Sequence, residues 1–203
     1  ARRLVQGGGV SLGEEKVTDV NAVVTADMIG ADGLMLRSGN DAAVAIAEYI
    51  SGDVDSFAAL MNQEAAAMGA TRSHFVNPNG LPDENHYTCV YDMYLIFSNA
   101  IKNDTFVSII GTTSYDVTYT DASGEAVTHT WENTNQYLTG NATTPDGFQI
   151  VGGKTGTTGE AGYCLVLYSY NPSGQPIISI VFKADGKSNL YLLMNEMLQG
   201  FAI

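Results

Sequence analysis

The sequence predicts an α+β fold, with helices in the first half of the chain and an antiparallel sheet in the second. Before residue 110 the apolar residues recur at helical spacing, whereas after it they alternate or form short apolar runs. Two of these runs, residues 162–170 and 177–184, are separated by only six residues. That connection is too short for a helical crossover, so the two strands should be antiparallel neighbours.

Four stretches of the first half have helical periodicity, namely residues 23–37, 40–49, 53–69 and 88–103. We expect Asn40 or Asp41 to cap the second of these helices. The third is the clearest amphipathic helix, and Gly69 suits its stop. The apolar positions of that helix are Phe57, Leu60, Met61, Ala65 and Met68.

The second half begins with a predicted hairpin, in which residues 114–120 and 126–131 alternate in polarity around a turn at 121–125. Residues 133–150 are polar and predicted to form a loop. The strands at 162–170 and 177–184 are apolar at consecutive positions, which predicts a sheet covered by helices on both faces. A final apolar helix, capped by Ser188, is a natural cover for one face.

The composition excludes several classes of function. The net charge of the 203-residue chain is −13 and only nine residues are Lys or Arg, so nucleic acid is not an expected partner. No apolar run approaches the ~18 residues of a membrane span. Cys89 and Cys164 match no metal spacing and are interpreted as buried thiols, and no histidine pair has an H-E-x-x-H-like spacing, so no metal site is predicted.

A lysine in a glycine-rich stretch, Lys154 in G-G-K-T-G-T-T-G, suggests either a phosphate loop, a carboxylate site or only a turn. A Walker A loop requires a glycine at position 148, where the chain has Phe148. The element that follows is predicted to be a strand, whereas a phosphate loop precedes the N-terminus of a helix. The phosphate alternative is therefore excluded, and no G-x-S-x-G motif supports a hydrolase triad.

A carboxylate site fits Lys154 better, with the lysine at the head of an edge strand. The hydroxyls of Thr155, Thr157 and Thr158 lie close in sequence, and Gly156 lets another backbone approach. Alternation places Lys154, Gly156 and Thr158 on one side of the strand and the other two threonines on the opposite side. Such an edge could pair with an extended peptide and hold its C-terminus.

A second short motif, Ser38-Gly39-Asn40, precedes the predicted helix at residue 40. Alone it could be only a helix cap. In combination, S-x-N followed by K-T-G in this order is typical of class A β-lactamases and penicillin-binding proteins.

With these motifs in place, the chain resembles the low-molecular-weight penicillin-binding proteins of the D-alanyl-D-alanine carboxypeptidase type. The matching stretches are residues 34–52, 68–93, 133–135 and 152–166. The resemblance implies a β-lactamase/transpeptidase-like fold in one truncated domain, with a helical region at about 23–110, a hairpin at about 113–131, and a sheet and helix at about 150–203. It also implies an extracytoplasmic protein, in the cell envelope or secreted, that acts on peptidoglycan stem peptides ending in D-Ala-D-Ala and is acylated by β-lactams.

The resemblance implies catalytic roles for three residues. Ser38 would pass protons between the family's acylating serine, its lysine base and the leaving amine. Asn40 would hydrogen-bond the substrate's side-chain amide or that lysine. Lys154 would supply positive potential for the substrate carboxylate.

The remaining roles implied by the resemblance concern substrate binding. Thr155 and Thr157 would contact the carboxylate, Gly156 would admit the substrate backbone, and the Thr157 N–H would form half of an oxyanion hole. Acyl transfer of this kind requires no metal or organic cofactor.

One family motif is absent, because no serine in the sequence is followed three residues later by lysine. We therefore expect the chain to be an inactive C-terminal fragment that lacks the S-x-x-K serine. A non-catalytic peptidoglycan-binding domain is an alternative. A β-lactamase is a further alternative, against which Gly39 replaces the usual Asp and only Glu84 offers a superficial match to a deacylating glutamate.

Overall fold

The computed structural model describes residues 36–120 and 125–202, together with residues 11–12 and 15–16. A short pair, β1 (Ser11–Leu12) and β2 (Glu15–Lys16), is followed by helices α1 (Asn40–Ser51), α2 (Val54–Ala67), α3 (Val90–Ala100) and α4 (Asp104–Ile110). The second half contains β3 (Ser114–Thr120), β4 (Ala126–Glu132), β5 (Gln149–Thr158), β6 (Gly162–Tyr170), β7 (Pro176–Ala184) and α5 (Lys187–Gln199). The predicted α+β class is confirmed; the helix expected at 23–37 lies outside the described residues except for its last two.

A three-stranded antiparallel sheet in the order β5-β6-β7 forms the centre of the second half. Leu165 and Leu167 pack against α5 on one face, whereas Val166 packs on the other face against Phe97 of α3 and Ile110 of α4. Consecutive apolar residues of β6 thus face opposite cores. This arrangement confirms the expected burial of both faces and explains why the strand sequences do not alternate in polarity.

The lysine motif does not lie at the head of its strand, which corrects the prediction. β5 begins at Gln149, five residues before Lys154. Gly152 and Gly153 lie within this strand, and other backbone atoms approach both of them closely. A Cβ atom would lie 2.5 Å from the Ile110 carbonyl oxygen at Gly152 and 2.3 Å from the Val166 oxygen at Gly153. These glycines permit close packing, where the sequence suggested a turn.

Two predicted helix caps are also wrong. The N-cap of α1 is Gly39, without a side-chain cap, and Asn40 is already helical, so its side chain does not cap the helix. The N-cap of α5 is Gly186, whose extended backbone precedes the helix, and Ser188 lies within the first turn. Both helices begin one or two residues earlier than polar capping preferences indicate.

The apolar face predicted for α2 lines an open groove between α2 and α3. The groove has a volume of about 400 Å³ and is lined by Phe57, Leu60, Met61, Glu64, Ala65, Met68, Phe75, Met93 and Ile96. The α2 helix itself packs on α1. In the described part of the chain, no helix is long and apolar enough to cross a membrane.

Candidate active site

The two motifs singled out in the sequence meet in the structure. The ammonium group of Lys154 on β5 donates a hydrogen bond to the hydroxyl of Ser38, which lies 116 residues away in the chain. The same ammonium donates to the Thr155 carbonyl oxygen at 2.6 Å. A hydroxyl and an amine in contact can exchange a proton, which is the chemistry of a relayed general acid or base.

Ser38 is positioned by the residues on both sides of it. Leu36 is fully buried against Val117 and Trp131 of the β3–β4 hairpin, and Gly39 starts α1 immediately afterwards. Between these anchors, Ser38 adopts a left-handed φ of 56°, a conformation that costs a residue with a side chain about 1 kcal/mol or more. The surrounding packing therefore holds the serine in a strained conformation that presents its hydroxyl to the lysine.

Lys154 lies on β5, an edge strand of the described sheet, directly opposite Val166. Cross-strand partners share a face, so the lysine projects toward the side covered by α3 and α4. Burial lowers the pKa of Lys154 from its ordinary value of 10.5 to about 8. The ammonium is thus easier to deprotonate than that of a surface lysine, and any anion that joins it would stabilise the charged form.

Thr155 projects to the opposite face and contacts a loop. It pairs with Leu165, and its hydroxyl lies 2.6 Å from the hydroxyl of Thr134. The predicted division of the strand, with Lys154 on one side and Thr155 on the other, is confirmed because the register irregularity at Ile150/Gly152 occurs before the lysine. Through Lys154 and Thr155, β5 therefore contacts both Ser38, just before α1, and the loop after β4.

The remaining predicted residues lie at the exposed margin of this group. Gly156 and Thr157 are exposed near the end of β5, and a Cβ atom at Gly156 would meet nothing within 4 Å. Asn40 is the exposed first residue of α1. Ser38, Lys154 and Thr155 are therefore linked by hydrogen bonds, whereas Asn40, Gly156 and Thr157 are exposed residues close to them in the chain.

Residues 133–135 match the family in sequence, but they have no predicted role beyond that of a polar loop. In the structure Asn133 and Asn135 are buried, and Thr134 between them reaches Thr155. The available signal was the spacing Asn-x-Asn, because two amides around one residue can form successive turns through side-chain to backbone hydrogen bonds.

The described residues contain no group of three or more His, Cys, Asp or Glu that could hold a metal ion. Cys89 and Cys164 are free thiols and partly buried, which is less burial than expected from the sequence. Cys164 lies opposite Gly156 in the β5–β6 pair.

Comparison with known proteins identifies similar chains. Residues 13–186 match the model of the peptidase S11 family, described as D-alanyl-D-alanine carboxypeptidase. The chain is 35% identical to D-alanyl-D-alanine carboxypeptidase DacF of Bacillus subtilis over 82% of its own length and 40% of the relative. It is 34% identical to a D-alanyl-D-alanine carboxypeptidase of Streptomyces sp. K15 over 84% of its own length and 59% of that protein.

Solved structures agree with these matches. A mutant of the Streptomyces K15 DD-transpeptidase superimposes with a TM-score of 0.82 at 29% identity, covering 99% of this chain and 76% of that one. The D-alanyl-D-alanine carboxypeptidase DacD of Francisella tularensis gives a TM-score of 0.70 at 27% identity, covering 83% of this chain and 50% of that one. The chain thus spans between about two fifths and three fifths of the two curated relatives above.

Proposed function

Since the chain belongs to the peptidase S11 family of D-alanyl-D-alanine carboxypeptidases, we propose that the site formed by Ser38, Lys154 and Thr155 acts in the removal of the terminal D-alanine from peptidoglycan stem peptides. In this proposal the 203 residues form one transpeptidase-like unit that supplies the second and third catalytic motifs. The S-x-x-K serine, absent from these residues, is supplied by another part of the full-length protein. The hydrogen bond between Ser38 and Lys154 carries the proposal.

The proposed chemistry assigns a role to each residue of the two motifs. The lysine of S-x-x-K takes the proton of the acylating serine, which attacks the carbonyl between the two D-alanines. As the C–N bond breaks, Ser38 relays that proton to the departing amine, and water then hydrolyses the acyl-enzyme. Lys154 supplies positive potential for the terminal carboxylate, and Thr155 and Thr157 donate hydrogen bonds to it. The Thr157 N–H stabilises the oxyanion, and Asn40 orients the substrate amide.

The substrate implies where the protein works and what inhibits it. Peptidoglycan lies outside the cytoplasmic membrane, so we propose an extracytoplasmic location in the cell envelope or in secreted form. A β-lactam resembles the D-Ala-D-Ala terminus and carries a carboxylate, so we propose that the full-length protein is acylated by these compounds.

Fluorescent penicillin labelling of the 203-residue chain and of the full-length gene product tests this proposal. We expect a covalent adduct only on the full-length protein, and we expect Ser38→Ala and Lys154→Ala to slow its formation by at least about tenfold, a loss typical of a single catalytic group. Lys102→Ala, which removes an exposed lysine bonded to Asn99, is the charge-matched control. A stable adduct on the 203-residue chain, or an unlabelled full-length protein, contradicts the proposal; the latter supports a non-catalytic peptidoglycan-binding domain.

Transpeptidation is a second candidate, because the solved neighbour with a TM-score of 0.82 is a DD-transpeptidase. Both reactions share the acyl-enzyme and differ in whether water or an amine accepts the acyl group. Product analysis of the full-length protein with a D-Ala-D-Ala peptide, with and without added glycine, separates them. A shortened peptide alone indicates a carboxypeptidase, and a glycine-extended peptide indicates a transpeptidase.

A further inference from the structure

We propose that Thr134 is a positioning residue that orients the Thr155 hydroxyl for recognition of the substrate carboxylate. This inference rests on the proposed function, in which Thr155 contacts that carboxylate. The two hydroxyl oxygens are 2.6 Å apart, a short distance for a hydrogen bond between hydroxyl groups. Thr134 itself is exposed, on the loop that follows β4.

The loop holds Thr134 in place through its two buried neighbours. Asn133 is anchored to the end of α4 and the start of β3, because its backbone N–H donates to the Thr113 carbonyl oxygen and its side chain to the Thr112 carbonyl oxygen, both at 2.8 Å. Its amide oxygen accepts from the Asn135 N–H at 2.9 Å. The exposed threonine is thus fixed between two asparagines that are 6% and 0% exposed.

A second anchor connects this loop to α5. The Gln136 N–H donates to the Tyr191 hydroxyl at 2.8 Å, and the Tyr137 hydroxyl donates to the Asn195 side chain at 2.7 Å. The rings of Tyr137 and Tyr191 meet edge to face with centroids 5.0 Å apart. A loop with these contacts on both sides of Thr134 cannot shift without breaking buried hydrogen bonds, so it acts as a rigid support.

Thr155 is consequently held on two sides. Lys154 donates to its carbonyl oxygen at 2.6 Å, and Thr134 engages its hydroxyl. When Thr155 donates its proton to a carboxylate, its oxygen remains free to accept, and Thr134 is then the donor to it. Hydrogen bonds in such a chain polarise one another, so Thr134 both fixes the rotamer of Thr155 and strengthens its donation.

A double-mutant cycle on the full-length protein tests this role, with the rate of acylation by fluorescent penicillin at limiting concentration as the readout. We expect Thr134→Val to slow acylation by about three- to tenfold, which is the effect of one neutral hydrogen bond, and Thr134→Ser to restore it. In the Thr155→Val background the Thr134→Val change should have no further effect. Thr118→Val is the matched control, because it deletes one hydroxyl of another exposed threonine pair, with Thr128 at 2.8 Å, and should leave acylation unchanged.

The outcomes separate this inference from the proposed function. If Thr155→Val slows acylation but Thr134→Val does not, or if Thr134→Val has the same effect in both backgrounds, the positioning role is wrong and the proposed function stands. If Thr155→Val alone has no effect, its carboxylate role fails and the inference fails with it. If the full-length protein is not acylated at all, the proposed function fails.

A second measurement needs no activity. In the 203-residue chain, three-bond couplings of labelled threonines report the χ1 rotamer of Thr155. We expect one rotamer in the unmodified chain and in Thr134→Ser, and averaging between rotamers in Thr134→Val. A Thr155 side chain that keeps its single rotamer in Thr134→Val overturns the positioning role, because the strand alone then suffices to orient it.

Discussion

The sheet of the second half and the helices of the first half bury their apolar residues to different degrees. In the sheet and its covering helix, Leu165, Leu167, Met194 and Leu198 are all 0% exposed. In the helical region the apolar face of α2 borders a groove of about 400 Å³, and Leu60 on it is 37% exposed. Apolar residues in the core of the sheet are therefore fully buried, whereas apolar residues of α2 such as Leu60 remain partly exposed.

Hydrogen bonds of polar side chains also stabilise the helical region. The Asn62 side chain forms two hydrogen bonds with the Phe75 backbone, at 2.7 and 2.8 Å. Asp92, 1% exposed, accepts from the Arg72 N–H at 2.7 Å and from the Ser73 hydroxyl at 2.8 Å. Lys154 therefore lies on a closed, well-packed sheet, whereas Ser38 precedes the more open helical region, so the contact between them depends on how the sheet and the helices pack together.

The largest expected loss of stability comes from a substitution in the core between the sheet and α5. Leu167→Ala should lower the free energy of unfolding by about 2–5 kcal/mol, because it leaves a cavity in a fully buried site. Leu60→Ala, the same change on the groove, should cost less than about 1 kcal/mol, since its side chain keeps contact with solvent. Denaturant unfolding of both variants measures the contrast, and equal losses would show that the groove is closed in solution.

Gly152→Ala should have the next largest effect, about 1–3 kcal/mol or more. The new methyl group would lie 2.5 Å from the Ile110 carbonyl oxygen, so α4 and β5 would have to separate. Gly156→Ala meets nothing within 4 Å and should leave the melting temperature unchanged. A destabilised Gly156→Ala would indicate that the space beside the end of β5 is packed.

The pH dependence of stability tests the environment of Lys154 at the junction. Between pH 8, the lowered pKa, and 10.5, its ordinary value, the unfolded chain holds a proton that the folded chain has lost. The free energy of unfolding should therefore rise with pH across this window. Each pH unit in this window contributes at most about 1.4 kcal/mol. Solvent screening of this partly exposed side chain reduces the total gain to the order of 1–2 kcal/mol, measured relative to Lys154→Met, which lacks the titrating group and serves as the reference. A difference between the two proteins that stays constant over this window would mean that the lysine is solvated like a surface residue.

The smallest effect is expected from Asp92→Asn, which keeps the shape of the side chain. Burial tends to raise the pKa of Asp92, but hydrogen bonds from Ser73, the Arg72 N–H and Cys89, with the charge of Arg72, lower it overall. Its stabilising contribution is thus complete above the unfolded pKa and is lost as the pH falls through the folded pKa, below about 4. At neutral pH the melting temperature of Asp92→Asn should be lower by a few degrees, which is the shift expected when a chain of this size loses a small part of its free energy of unfolding. As the pH falls, its melting temperature should decrease less steeply than that of the unmodified chain. If the melting temperatures of the two proteins fall equally steeply at acid pH, other carboxylates dominate acid unfolding.

The fold and part of the candidate site were predictable because they depend on local patterns. The predicted hairpin forms, since alternation and a polar turn are local signals, and in it Ser114 lies opposite Glu132 and Thr120 opposite Ala126. The buried strands β6 and β7 followed from their apolar runs. The start of β5 and the caps of α1 and α5 were not predictable, because a glycine that begins a helix and a glycine that admits a neighbouring backbone look the same in a sequence.

The α+β class, the order of the elements and the two motifs can be read from the sequence, because spacing, polarity and residue chemistry are local properties of the chain. The packing of distant segments brings the Lys154 ammonium to the Ser38 hydroxyl across 116 residues, lowers the pKa of that lysine by burial and places Thr134 against Thr155. These features depend on distances between segments remote in sequence and on the solvent they exclude. Such quantities arise only when the sheet, the hairpin and the helices pack together.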